Sequence, residues 1–432
     1  MKFYSTRNHR LRTGLKEALV KGLAPDGGLY MPEKIPVLPE SIITNIKNLS
    51  YTEIAYEVAS ALFGDDIPEE DLRTIVEGTL SFDTPIVKVK KNIYSLELFH
   101  GPTLAFKDVG ARFMARMLQH VTKGVKETIH VLVATSGDTG SAVANGFLGI
   151  EGIHVHVLYP AGLVSPLQEK QFTTLGRNIT ALEVNGSFDD CQKLVKDAFA
   201  DTFLNEKLRL TSANSINLAR FIPQSFYYFN AVRQLDDRTK LVFCVPSGNF
   251  GNLTAGLLAH RMGLPVNHFI AATNVNDIVP TYLRTGRFSP RPSIATLANA
   301  MDVGNPSNFE RILDMYSNSH EAIAHDIAGF SFTDEQILAA IHDVSNETGY
   351  LPDPHGATGF LAAEEFLRIN PDTQVVVLET AHPAKFTETV EKATGKTIEI
   401  PERLKKFQLQ KKVSLPMGPH YDDFRKYLTG LI

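Results

Sequence analysis

From about residue 95 onward, short apolar, β-branched runs alternate with amphipathic helical stretches, and this alternation narrows the fold more than any other feature of the chain. Residues 129–134, 241–245 and 375–378 are almost wholly apolar, and each runs into a turn-rich loop. Strands covered on both faces read this way, so the expectation is an α/β fold with mostly parallel sheets. Residues 153–158 add another strand and 188–199 another helix. In open sheets of this kind ligands collect beyond the carboxyl ends of the strands. The loops 135–140, 247–252 and 379–383 are therefore the expected walls of a site. Ahead of them, residues 1–95 read as a mixed α+β N-terminal region. A turn lies at 24–28, a helix spans 51–63, and a second helix runs to about residue 78, started by the acidic cluster at 65–70.

A length of 432 residues supplies two or three domains. The 43% hydrophobic and 21% charged fractions are those of a soluble globular protein. A net charge of −5 gives no reason to expect nucleic acid or an anionic membrane as partner. No apolar run approaches transmembrane length, and the N-terminus lacks a signal-peptide core. Cys191 and Cys244 offer no disulfide framework, so a reducing, cytoplasmic setting is expected. The basic segment 403–412 is interrupted by Leu404, Phe407 and Leu409 and reads as an exposed face.

Phe113, Met114, Met117, Leu118 and Val121 recur at three- and four-residue spacing, which predicts a helix over 109–121. Asp108 is its expected cap, with Lys107 just before the first turn. The positive end of a helix and the apolar neighbours Leu104, Ala105 and Phe106 both disfavour a cation there. A lysine kept neutral is the nucleophile that Schiff-base chemistry needs; a solvated loop lysine is the competing reading.

Gly248, Asn249, Phe250, Gly251 and Asn252 form a loop of phosphate-cradle composition ahead of a helix. No Gly-Lys-Ser/Thr closes it and no third glycine completes a dinucleotide fingerprint, which leaves a site for one compact phosphate. Thr135, Ser136, Asp138 and Thr139 lie in a second, hydroxyl-rich loop suited to a carboxylate. A plain turn or helix cap accounts for either loop alone. Both loops together, on one sheet with Lys107, point to a phosphate-bearing carbonyl cofactor and an amino-acid substrate. Other candidates carry less. His154 and His156 share a strand face, read as a polar face ahead of a metal pair. His355 follows a turn and is a candidate lining residue. Lys385 is a rival lysine without the helix-start setting.

The stretch His100-Gly101-Pro102-Thr103-Leu104-Ala105-Phe106-Lys107-Asp108 closely resembles the cofactor-lysine motif of the threonine synthase family. The loops 134–140 and 247–252, the stretch Thr380-Ala381-His382-Pro383-Ala384-Lys385-Phe386, and the N-terminal segments 4–8 and 26–30 also resemble that family, of microbial and fungal type. The resemblance implies the type II pyridoxal phosphate fold. Residues 110–225 would form a smaller α/β domain inserted into a larger one built from 96–109 and 226–432, beside the N-terminal region 1–95. It further implies pyridoxal 5'-phosphate on Lys107, the cofactor phosphate in 248–252, and Thr380 at the pyridine nitrogen. Relatives often carry Asn where this chain has Asp138, as partner of the cofactor's phenolic oxygen; Asp138 is then protonated, water-bridged or turned toward substrate. The implied reaction turns O-phospho-L-homoserine and water into L-threonine and phosphate. Asn217 and Arg220 are the first candidates for the substrate phosphate, with Lys170 or Arg112 behind them.

Three competing functions remain open at the level of sequence: a phospho-lyase or deaminase of the same fold giving 2-oxobutanoate, a non-catalytic binder of a phosphorylated metabolite, and a nucleotide module that lacks its usual glycines. No metal is expected, and the oligomeric state is monomer or homodimer.

Overall fold

The computed structural model describes residues 1–432. Two mostly parallel sheets line one cleft, and a small antiparallel sheet accompanies them. The larger sheet has six strands in the order Ile327–Ser331, His268–Thr273, Leu241–Pro246, Gln374–Glu379, Ile93–Glu97 and Ile86–Lys90. All its pairs are parallel except the last. The second sheet has five parallel strands in the order Leu415–Met417, Ile179–Val184, Ile153–Pro160, Ile129–Ala134 and Arg209–Ser212. Arg12–Gly14, Lys2–Ser5 and Tyr30–Pro32 make the small sheet.

The apolar runs of the sequence occupy the sheet interiors. Leu241–Pro246 and Ile129–Ala134 are buried along their whole length, as strands covered by helices on both faces must be. The helix Lys107–Val121 lies at the centre of the main core. Phe113 meets Phe63 of the N-terminal helix Tyr51–Phe63 and Phe226 of the helix Ser225–Gln234, each with ring centroids 5.8 Å apart. The N-terminal region therefore braces the helix that begins at Lys107.

The division of the chain departs from the sequence expectation at both ends. Ile86–Lys90 and Ile93–Glu97 belong to the six-stranded sheet rather than to an N-terminal region ending at 95. Leu415–Met417 and the helix Tyr421–Thr429 join the five-stranded sheet, where Phe424 and Leu428 pack with Leu132 and Leu158. Short edge strands owe their place to the partner they meet, so their own residues carry little signal. Asp108 is also corrected: the helix starts at Lys107, Phe106 is its cap position, and no side chain caps it. The Asp108 carboxylate instead accepts from the N–H and hydroxyl of Thr103, at 2.9 and 2.7 Å. His154 and His156 do share a face, stacked with each other and with His130, and they bond Thr180 and Tyr427.

The helix Pro354–Ile369 lies so close to the six-stranded sheet that only small residues fit the contact. A Cβ on Gly359 would stand 2.6 Å from Val377 Cγ1, and one on Gly356 would stand 1.7 Å from Glu379 Oε2. Gly356→Ala is accordingly expected to lower the unfolding free energy by about 1–3 kcal/mol or more, as overpacking of a rigid core does. Urea denaturation monitored by circular dichroism reads this; an unchanged midpoint would show that the helix can lift off the sheet freely.

Candidate active site

The carboxyl ends of the strands converge on one cleft of about 870 Å3, its open mouth included, and Lys107 stands in its wall. The turn before Lys107 is held to the end of the strand Gln374–Glu379 by an antiparallel strap. Phe106 N–H donates to Thr380 C=O at 2.9 Å and His382 N–H to Leu104 C=O at 3.1 Å, with Ala105 bridged to Ala381. Leu104 takes a left-handed conformation, φ 57°, to turn the chain into the helix. Tyr227 Oη donates to Phe106 C=O. These bonds place Lys107 and Thr380 in the same cleft.

The Lys107 amine lies 5.1 Å from the Phe106 ring centroid and has no carboxylate or carbonyl acceptor. Burial pushes its pKa down to about 8, with Arg220 and Lys385 adding to the shift and Asp138 opposing it. Lys107 therefore gives up its proton more readily than an ordinary lysine, and the cause is desolvation by the folded cleft more than a helix end.

Opposite Lys107, the loop 248–252 opens the helix Gly251–Arg261. The N–H groups of Gly248, Asn249, Phe250, Gly251 and Asn252 find no acceptor in the chain, so they are free for an anion in the cleft. The loop is pressed from behind: a Cβ on Gly248 would stand 2.5 Å from Ala300 C=O, so only glycine fits. Tyr228 Oη donates to the carbonyl and side-chain oxygens of Asn252, 2.9 Å each, and fixes the turn.

On the five-stranded side Ser136 and Thr139 line the cleft. Thr135 does not; its hydroxyl accepts from the N–H groups of Gly137 and Gly140, at 2.9 and 2.8 Å, and shapes the loop. Asp138 is likewise off the wall. Its Oδ1 pairs with Lys385 and accepts from Gln168 Nε2 at 2.8 Å. Burial would raise the Asp138 pKa, but Lys385 and Lys107 outweigh it and hold the carboxyl below its usual range, so the group is an anion. Asn217 is buried as the cap of a short helix, accepting from Ala219 N–H at 3.0 Å and donating to Leu19 C=O at 2.8 Å. Arg220 does reach the cleft. It is 3% exposed, has no carboxylate partner, and contacts only the Ala213 carbonyl. Burial pushes its pKa down to about 10, which still leaves a full cation. Lys170 and Arg112 point elsewhere, onto Gln408 C=O and onto the carbonyls of Gly78 and Thr79.

Several lining residues carried no signal in the sequence. The 299–303 stretch has no periodicity, yet Asn299, Ala300, Met301 and Val303 form part of the wall. Asp302 fastens that stretch, accepting from Thr296 N–H at 2.9 Å and from Asn274 Nδ2 at 2.7 Å. His355, a lining candidate from the sequence, does line the cleft; its Nδ1 meets Asp353 Oδ1 at 2.5 Å while Nε2 accepts from Ala300 N–H at 3.2 Å. Arg311 lies beneath the wall, fully buried, and donates to the carbonyls of Ser215, Ile216 and Tyr30. The Glu379 carboxyl is pushed far up by burial and by Asp353, and it accepts from Asp353 N–H at 2.7 Å.

Polar atoms left without partners mark what the cleft takes. Arg220 Nε, Asn252 Nδ2, Gln224 Oε1 and Asn299 Oδ1 are all buried, unpaired and on cleft-lining residues. Together with a free amine and five free N–H groups they fit a phosphate-bearing aldehyde such as pyridoxal phosphate. Residues 80–381 match the family model described as pyridoxal-phosphate dependent enzyme, which gives the class of this fold and site. The flanking segments are more particular: 2–80 match the threonine synthase N terminus and 356–419 its C-terminal region. The threonine synthase of Escherichia coli is 43% identical over 97% of this chain and 96% of its own, and its crystal structure superposes over the whole of both chains with a TM-score of 0.94. The pyridoxal-phosphate-bound threonine synthase of Brucella melitensis superposes with a TM-score of 0.92 at 37% identity, covering 100% of this chain and 99% of the other. The chain belongs to the threonine synthase family of pyridoxal-phosphate-dependent enzymes, and pyridoxal phosphate is its cofactor.

The depressed Lys107 pKa has a measurable consequence. Between about 8 and the ordinary lysine value of 10.5 the unfolded chain holds a proton that the folded chain has lost, so over that window the native lysine adds stability as pH rises. In the cofactor-free protein, Lys107→Met is expected to raise the melting temperature most below about pH 8, with the gain fading toward about pH 10.5. Thermal melts of the two proteins across this range test it, and a pH-independent difference would contradict the burial of a titrating amine.

Proposed function

We propose that the chain converts O-phospho-L-homoserine and water into L-threonine and phosphate. One observation carries this reading: a single cleft brings together two groups suited to anions, the free N–H groups of 248–252 and the Arg220 guanidinium without a carboxylate partner, with one unpaired lysine. A cofactor phosphate fills the first, and a substrate that brings a second phosphate fills the other. The full-length likeness to threonine synthases supports the same reading.

In this proposal Lys107 would carry the cofactor, the N–H groups of 248–252 would hold its phosphate, and the Thr380 hydroxyl would serve its ring nitrogen. A hydroxyl there leaves that nitrogen largely unprotonated, whereas a carboxylate would keep the proton. Pyridoxal phosphate, when bound, supplies an electron sink that acidifies the carbon positions of an amino acid attached to it. Ser136 and Thr139 sit at the start of the helix Asp138–Phe147, where hydroxyls and N–H groups suit the substrate carboxylate. Arg220 binds the substrate's γ-phosphate and keeps it bound as the Cγ–O bond breaks.

Lys107 serves next as the proton carrier. Once the substrate's amine has displaced Lys107 from the cofactor, the freed and deprotonated Nζ would take the Cα proton, and removal of a Cβ proton would then expel phosphate from Cγ. A proton returned to Cγ and hydroxide from water added at Cβ complete the exchange, with the Cα proton restored last. The atoms balance as one water in and one phosphate out. Premature water would divert the reaction to a keto acid, so the 299–303 wall with Ser136 and Thr139 has to keep water out until Cγ is protonated.

Two measurements bear on this. Purified holoenzyme given O-phosphohomoserine is expected to release threonine and phosphate in equal amounts; mainly 2-oxobutanoate would favour the lyase reading instead. Arg220→Met is expected to lower kcat/KM by about a hundred- to a thousandfold, the scale of losing a buried charged phosphate contact, while leaving cofactor absorbance intact. Unchanged kinetics would move the substrate phosphate to another site.

A further inference from the structure

An ion pair unused by this reaction crosses the seam between the two parallel sheets. Lys385 stands in the short turn Pro383–Phe386, which follows the strand Gln374–Glu379 of the six-stranded sheet. Asp138 opens the helix Asp138–Phe147 on the five-stranded side. Both side chains are sealed from solvent, Lys385 at 0% and Asp138 at 4% exposure. Besides meeting Asp138 Oδ1, Lys385 Nζ donates to Thr103 C=O at 3.0 Å. Thr103 belongs to the turn that leads into Lys107, so one ammonium group joins the carboxylate of one side to the lysine-bearing turn of the other. Gln168 Nε2 on the same Oδ1 and Gln171 Nε2 on the same Thr103 carbonyl, 3.1 Å away, complete the clamp.

A buried carboxylate needs a cation, and Asp138 has two within electrostatic reach, Lys385 and Lys107. The folded chain assigns it to Lys385. We propose that Lys385 is a positioning residue that reserves the Asp138 carboxylate across the seam, denying that anion to Lys107 and so keeping the Lys107 amine free to bond the cofactor. The surrounding charges agree with this assignment. Arg220 also faces Lys107 and repels a proton on it, whereas Asp138 is the one group there that favours the proton. Asp108 lies beyond Thr103, bonded to its N–H and hydroxyl, and feels Lys385 only as a secondary influence. His382, on the same turn as Lys385, is pushed down to about 4, chiefly by burial, and stays neutral. Without Lys385, Lys107 is the remaining ammonium that can neutralise Asp138.

This inference rests on Lys107 being the cofactor lysine, but its test needs neither cofactor nor substrate, so its failure is distinguishable from failure of the proposed reaction. Full-length protein stripped of pyridoxal phosphate is labelled with trace acetic anhydride between about pH 6 and 11, and acetylation of Lys107 is read by peptide mass spectrometry. Far-UV circular dichroism and the urea midpoint of the stripped protein certify that each variant is folded. Lys385→Met is expected to raise the pH midpoint of Lys107 labelling by about one to three units, the range for a newly adjacent opposite charge. In an Asp138→Asn background the same substitution is expected to move the midpoint by less than about a third as much. If Lys385→Met does not fold, Lys385→Gln, which keeps a donor for Thr103, replaces it in both backgrounds. An unmoved or lowered midpoint in the single variant, or an equal rise in both backgrounds, overturns the proposal, since Lys385 would then act directly or not at all.

Discussion

The site depends on a two-bond backbone strap between residues 104–106 and 380–382. Lys107 begins a helix anchored in the main core, whereas Thr380 follows a strand near the middle of the six-stranded sheet. Without the strap these residues would belong to unrelated elements. With it, the lysine turn becomes an added edge on the strand-end loop, and backbone hydrogen bonds of ordinary length set the lysine in register with the cleft. The left-handed Leu104, the Tyr227 hydroxyl on Phe106 and the Thr103–Asp108 bonds all serve to hold that turn in the shape the strap requires.

Electrostatics then divides the cleft into roles. Lys385 and Lys107 both act on one buried anion, Asp138, and only Lys385 is paired with it, while Arg220 acts on Lys107. Arg220 and Lys107 are left facing open space, an arrangement that is costly in an empty cleft and favourable with bound phosphates. The carboxyl of Glu379, the residue before Thr380, is pushed far up by burial and by Asp353. Residues beneath the wall do comparable work without charge neutralisation. Arg311 has carbonyls for partners, so its role is to pin the 215–216 loop to the N-terminal region.

How much of this was legible depended on whether a residue's role was local. The free N–H groups of 248–252 and the cleft position of Ser136 and Thr139 follow from loop composition at a strand end, and the sequence pointed to them. Asp138 was ambiguous because its role depends on a partner 247 positions along the chain, and Lys385 was read as a rival to Lys107 when it is that partner. Asn217 looked like a ligand residue and is a helix cap; the same amide chemistry serves both, and only burial separates them. The 299–303 wall was silent because irregular chain has no period to detect, and its place is fixed by Asp302, Asn274 and the contact with Gly248.

Apolar strands, glycine loops and a helix-start lysine are properties of contiguous residues, and from them the sequence by itself determined a parallel α/β fold with an anion-binding, lysine-bearing site. Tertiary structure decided which cation answers which anion, which sheet claims the edge strands at 86–90 and 415–417, and how dry the lysine becomes. The physical reason is common to all three. Pairing, edge register and desolvation depend on what the rest of the chain brings alongside a residue, and none of them is encoded in its immediate neighbours.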